Sequence, residues 1–72
     1  MITVTHHVAM EWSRCAQAAY ASDNNDIGHK MSMASACLEG DEIPESQFDA
    51  LHDIYRAWLV FGVFEQPEAI II

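Results

Sequence analysis

Six carboxylates, Glu39, Asp41, Glu42, Glu45, Asp49 and Asp53, fall within fifteen consecutive residues that contain no lysine or arginine. Glu45, Asp49 and Asp53 repeat every fourth residue. On a helix they form one stripe, roughly 120° from the centre of that helix's apolar face. Like charges at this spacing cost a helix about 0.2–0.5 kcal/mol per pair. One account is a solvated face. The helix dipole favours acids in a first turn, which covers Glu45 and Asp49, and Arg56 lies three residues past Asp53. The other account is recognition. Carboxylates four residues apart on a helix rise about 6 Å, and phosphates along one DNA strand advance about 3.4 Å each. A rigid acidic face therefore suits a basic groove built for nucleic acid, binding fast by steering and more weakly as salt rises.

Other constellations carry less chemistry. Asp23-Asn24-Asn25-Asp26-Ile27-Gly28 resembles the front of an EF-hand loop. Its fifth position is Ile27 and its twelfth is Ala34, neither of which supplies the oxygen that calcium needs there. A capped turn is the better reading. The histidines are His6, His7, His29 and His52, with no HxxxH or HExxH spacing, so no metal is expected. Cys15 and Cys37 form no CxxC motif and read as reduced, buried thiols. A disulfide between them would require two helices to face each other. The serines lack a glycine-rich elbow, and a bundle this small offers little concave volume for substrate. The expectation is a non-enzymatic protein without cofactors.

Composition narrows the classes further. The chain has 72 residues, 11 acidic and 3 basic, for a formal charge of −8; 51% of residues are hydrophobic and 19% charged. It is too apolar for a disordered acidic tail and too short for two domains, so residues 1–72 read as a single helical domain. Its charge disfavours nucleic acid and anionic membranes as partners. A helix-turn-helix reading of the second and third helices meets the same obstacle, because Glu45, Asp49 and Asp53 would enter a phosphate-lined groove. The start lacks the basic and apolar regions of a secretory signal. The longest apolar run, Ala57 to Phe64, is far shorter than a span of about 20 residues. A soluble, cytoplasmic protein is expected.

The elements that would position these groups follow from periodicity. Met1 to Thr5 alternates apolar and polar residues and reads as a short extended arm, with Thr5 as a helix cap. The spacing predicts helices over about 6–21, 27–39 and 45–64, joined by short loops: an all-α, small three-helix bundle with an extended C-terminal tail. The narrow apolar stripe of the first is Val8, Trp12, Cys15 and Ala19. That of the second is Ile27, Met31, Ala34 and Leu38, widened by Met33 and Cys37. Gly40 stands where a left-handed residue ends it. Pro44 and Glu45 suit the start of the third helix, and Ile43 and Phe48 suit a hydrophobic staple. Its stripe is Phe48, Leu51, His52, Tyr55, Trp58, Leu59 and Gly62. From Trp58 to Phe64 it is apolar almost all round, as in a central helix or a contact surface. The β-branched tail, Ile70-Ile71-Ile72, either packs on a neighbouring helix or pairs with Ile2-Thr3-Val4.

From Asn25 to Arg56 the order is a helix with Met31 and Met33, then Cys37-Leu38-Glu39, the acidic turn Asp41-Glu42-Ile43, and the helix Glu45-Ser46-Gln47-Phe48-Asp49-Ala50-Leu51-His52-Asp53. This segment resembles small, acidic, all-helical anti-CRISPR proteins made by phages against type I systems. The resemblance implies an inhibitory protein in the host cell cytoplasm that binds the surveillance complex or its recruited nuclease. It also implies that the partner is a basic, nucleic-acid-binding CRISPR effector subunit, met by the six carboxylates. Inhibition of this kind is by occupancy, so no catalytic residues carry over. The alternative is a structural or assembly protein that homo-oligomerises or docks through Trp58, Phe61, Phe64, Ile70, Ile71 and Ile72.

Overall fold

Three helices dominate the computed structural model, which describes residues 1–64: α1 (His6–Ala21), α2 (Asn25–Leu38) and α3 (Glu45–Phe61). The fold is the expected small all-α bundle. Thr5 caps α1, its Oγ1 accepting from the Val8 N–H at 3.3 Å. Ser22, Asp23 and Asn24 alone separate α1 from α2. So short a connection reverses the chain and lays the two helices side by side. Gly40 adopts φ 86°, a left-handed conformation that costs an L-residue roughly 1–2 kcal/mol, and the Asp41 N–H turns back to the Leu38 carbonyl at 2.9 Å.

The N-terminal arm has a partner that periodicity did not reveal. β1 (Ile2–Thr3) pairs antiparallel with β2 (Glu42–Ile43), Ile2 opposite Ile43 and Thr3 opposite Glu42. Two further bonds extend the ladder: Val4 N–H to the Asp41 carbonyl at 2.9 Å, and Gly40 N–H to the Val4 carbonyl at 2.7 Å. The arm thus fastens the α2–α3 connection, and Val4 and Ile43 are both buried. The Ile70–Ile72 tail, the other candidate for this arm, lies outside the described residues.

The core sits around α1. Ala9, Trp12, Cys15, Ala16 and Ala19 are buried, a broader face than the expected stripe, because α1 lies along α2 and also meets α3. Ile27, Met31 and Ala34 close it from α2, and Leu51, Ile54 and Tyr55 from α3. Ser35 Oγ ties α2 to the Ala9 carbonyl at 2.7 Å. Ile43 is buried and Phe48 packs against the same cluster, as the staple requires.

Several sequence expectations need correction. Met33 and Cys37 are exposed instead of widening the buried face of α2, because α3 does not close over that flank. Two buried thiols therefore reduce to one, Cys15. Ile54, outside the expected stripe, is fully buried, whereas Leu59, inside it, is 60% exposed. Finally, α3 ends at Phe61. Gly62 takes φ 70° and returns its N–H to the Trp58 carbonyl at 2.9 Å, so it is the cap of the helix, not part of its stripe.

Candidate interaction surfaces

All six carboxylates of the acidic segment are exposed. Glu39 caps the end of α2, where its Oε2 lies 3.1 Å from His6 Nδ1. Asp41 and Glu42 sit on the connection held by the N-terminal arm, Glu42 within β2. Glu45 opens α3, where the dipole favours it, and Asp49 and Asp53 follow at one-turn intervals. At about 100° per residue these three lie opposite the buried Leu51, Ile54 and Tyr55. Asp53 pairs with Arg56 on the same exposed face, an ion pair of small energetic consequence.

Among the described residues, exposed large apolar side chains concentrate at the end of α3. Leu59, Val60 and Phe61 are 60%, 68% and 76% exposed, and Val63 beyond the cap is 42% exposed. Leu59, Val60 and Phe61 point away from the direction of Trp58, the residue of this turn that meets the core. Trp58 and Phe64 behave differently. They are half-buried against the core, with rings stacked at 6.3 Å and 13°. Of the candidate contact residues within the described chain, Phe61 faces solvent and Trp58 and Phe64 anchor the helix end. Ile70, Ile71 and Ile72 lie outside the described residues. The loss of polar side chains after Trp58 signalled this surface, but periodicity did not mark Leu59, Val60 and Val63 as its members.

A polar seam joins α1 to α3. Trp12 Nε1 donates to His52 Nδ1 at 3.2 Å, and the Tyr55 hydroxyl donates to Glu11 Oε2 at 2.8 Å. Burial, then the nearby Arg56 guanidinium, holds His52 below its ordinary pKa against the opposing pull of Glu11, Asp53 and Asp49. The hydrogen bond to Glu11, then burial, holds Tyr55 above its ordinary value. Phe48 stacks on His52 at 5.3 Å and Tyr55 flanks it on the other side. These residues lock the helices together.

A separate cleft of about 410 Å³ opens between the flanks of α2 and α3. Met33, Ala34, Cys37 and Leu38 form one wall, Gln47, Ala50 and Leu51 the other, with Lys30 at α2. Cys15, by contrast, is buried, and burial pushes its pKa to about 11, which makes it a poor nucleophile. Ser22 to Asn24 form the α1–α2 turn, Asn24 standing at the N-cap of α2, and Asn25 and Asp26 open α2. Among the described residues no group of His, Cys, Asp or Glu is placed to hold a metal ion, and no helix is long and apolar enough to cross a membrane. Comparison with protein-family models, curated proteins and solved structures gives no match.

Proposed function

We propose that the protein is an assembly module that associates with a second copy of itself through the apolar end of α3. The observation carrying this reading is the solvent exposure of Leu59, Val60, Phe61 and Val63. Exposed apolar side chains grouped at one helix end mark interaction sites in soluble proteins. Burying one such side chain contributes about 1.5–3 kcal/mol. A two-fold contact buries the side chains that face the partner on both copies, and the surplus over an association cost of roughly 4–15 kcal/mol is small, so a complex no tighter than about micromolar is expected. Light scattering across a concentration series should show dimer that persists in high salt. Phe61→Asp should leave only monomer with unchanged helicity. A wild-type chain that stays monomeric at about 0.5 mM overturns the reading.

A second reading is supported by the exposure of all six carboxylates from Glu39 to Asp53. In it the chain is an inhibitor like the phage anti-CRISPR proteins, acting in the host cytoplasm. It occupies the basic DNA-binding groove of a type I effector subunit, as a DNA mimic without cofactor or catalysis. An excess of the protein should then block target-DNA binding by a purified type I surveillance complex in a mobility-shift assay. Reversing Glu45, Asp49 and Asp53 to lysine should weaken that inhibition at least about tenfold, since each close charge pair is worth on the order of a kcal/mol or more. DNA binding untouched by the wild-type protein removes this reading for that target.

A further inference from the structure

We infer that the α2–α3 cleft is the receptor for the second copy: each protomer inserts Phe61 into the cleft of the other, with the two α3 helices antiparallel. This rests on the self-association proposed above and names the surface that receives the exposed helix end.

Helix geometry brings the parts into register. At about 100° per residue, Ala50 and Phe61 lie within about 20° of one another on α3, with Ala57 adjacent. Ala50 is a wall of the cleft. The cleft therefore opens along the same side of α3 that carries Phe61 at its far end, about 16 Å away at 1.5 Å per residue. Two such helices laid antiparallel bring each Phe61 to the other's Ala50, with Ala50 and Ala57 permitting close approach. The contact is the same in both directions, so it closes as a two-fold dimer and does not propagate into a fibre.

Charge selects the occupant. The molecule carries −8, so two copies repel wherever their carboxylates meet. The cleft lining contains no carboxylate, and residues 57–64 contain no charged side chain. These two surfaces are where a second copy can approach at least electrostatic cost. A basic partner would instead be drawn to the acidic stripe of Glu45, Asp49 and Asp53, centred about 100° round α3 from Ala50 and Phe61. Met33, 49% exposed on the cleft wall, and Cys37, exposed beside it, are the apolar width of α2 that the described residues leave unpartnered.

The test is sedimentation equilibrium on the full chain and its variants, with helicity checked for each. Phe61→Asp and Met33→Asp both alter exposed positions, so folding should survive, and each should raise the dimer dissociation constant at least about tenfold. Met33→Lys combined with Phe61→Asp places opposite charges across both contacts and should recover dimer relative to Phe61→Asp alone. Cys37 should react with a thiol reagent more slowly in wild-type dimer than in Phe61→Asp, while buried Cys15 stays unreactive in both. Dimer lost in Phe61→Asp but intact in Met33→Asp means that the α3 ends pack on each other; the cleft assignment falls and self-association stands. A monomeric wild type removes both.

Discussion

Trp12→Ala is expected to leave the chain largely unfolded at room temperature. The Trp12 side chain is fully buried at the centre of α1, with its ring centroid 5.6 Å from Phe48 and 6.4 Å from His52. Truncating a buried tryptophan to alanine costs about 3–5 kcal/mol, through lost transfer energy and the cavity left behind. A single small core rarely supplies more than about 3–5 kcal/mol of net stability. The loss is therefore as large as the reserve. It also removes the donor to His52, one of the polar ties between α1 and α3. Far-ultraviolet circular dichroism with urea titration reads the result directly. The variant should show little helix in buffer, or a midpoint near zero denaturant. A cooperative transition with a midpoint close to wild type would show that the bundle does not depend on this ring. Ile54→Ala, at another fully buried position, should cost about 2–5 kcal/mol. Leu59→Ala, five residues further along α3 and exposed, should change stability by no more than about 0.5 kcal/mol.

The contrast between Ile54 and Leu59 shows what periodicity can and cannot carry. The 3.6-residue period located three helices, and the punctuation of Thr5, Gly40 and Pro44 located most of their ends. A period identifies a face but not the extent of the neighbour that covers it. The stripe drawn through Phe48, Tyr55 and Leu59 is centred roughly 45° from the face that α3 buries, which runs through Leu51, Ile54 and Tyr55. That rotation depends on how α3 meets α1, a tertiary fact. The end of α3 was misplaced for a related reason. Gly62 sits within an unbroken apolar run, and only its left-handed backbone reveals a cap. The N-terminal arm was legible as extended by alternation, yet strand pairing is non-local, and its partner, Glu42 and Ile43, is some forty residues away in a segment that reads as a turn. For the candidate surfaces the outcome is similar. Exposure of the acidic segment was foreseeable, because unpaired carboxylates seldom go inside. The cleft was not, because Met33 and Cys37 on its wall look like core and become surface only because α3 does not close over that flank of α2.

Acidification from about pH 7.5 to pH 5.5 is expected to destabilise the bundle through His52, the second large effect. His52 Nδ1 accepts the Trp12 N–H, so the ring must be neutral there, with its proton on Nε2. The folded state holds its pKa below the ordinary value of 6.5, burial being the main cause and Arg56 the next. Between the folded and unfolded pKa values the unfolded chain binds more protons, so stability falls as pH falls. The contribution is fully present above about pH 6.5, declines below it, and levels off beneath the folded pKa. Protonation at Nδ1 would also set two donors against each other inside the seam. Leaving the Trp12 N–H without an acceptor costs about 1–3 kcal/mol, so His52→Leu should lose that much at neutral pH and show no such titration. His52→Asn keeps an acceptor near the Nδ1 position but cannot ionise. The informative quantity is the difference between wild type and His52→Asn. The urea midpoint of wild type should fall further between the two pH values than that of the asparagine variant. Equal shifts in the two proteins would mean that the proton on His52 has no bearing on how α1 holds α3.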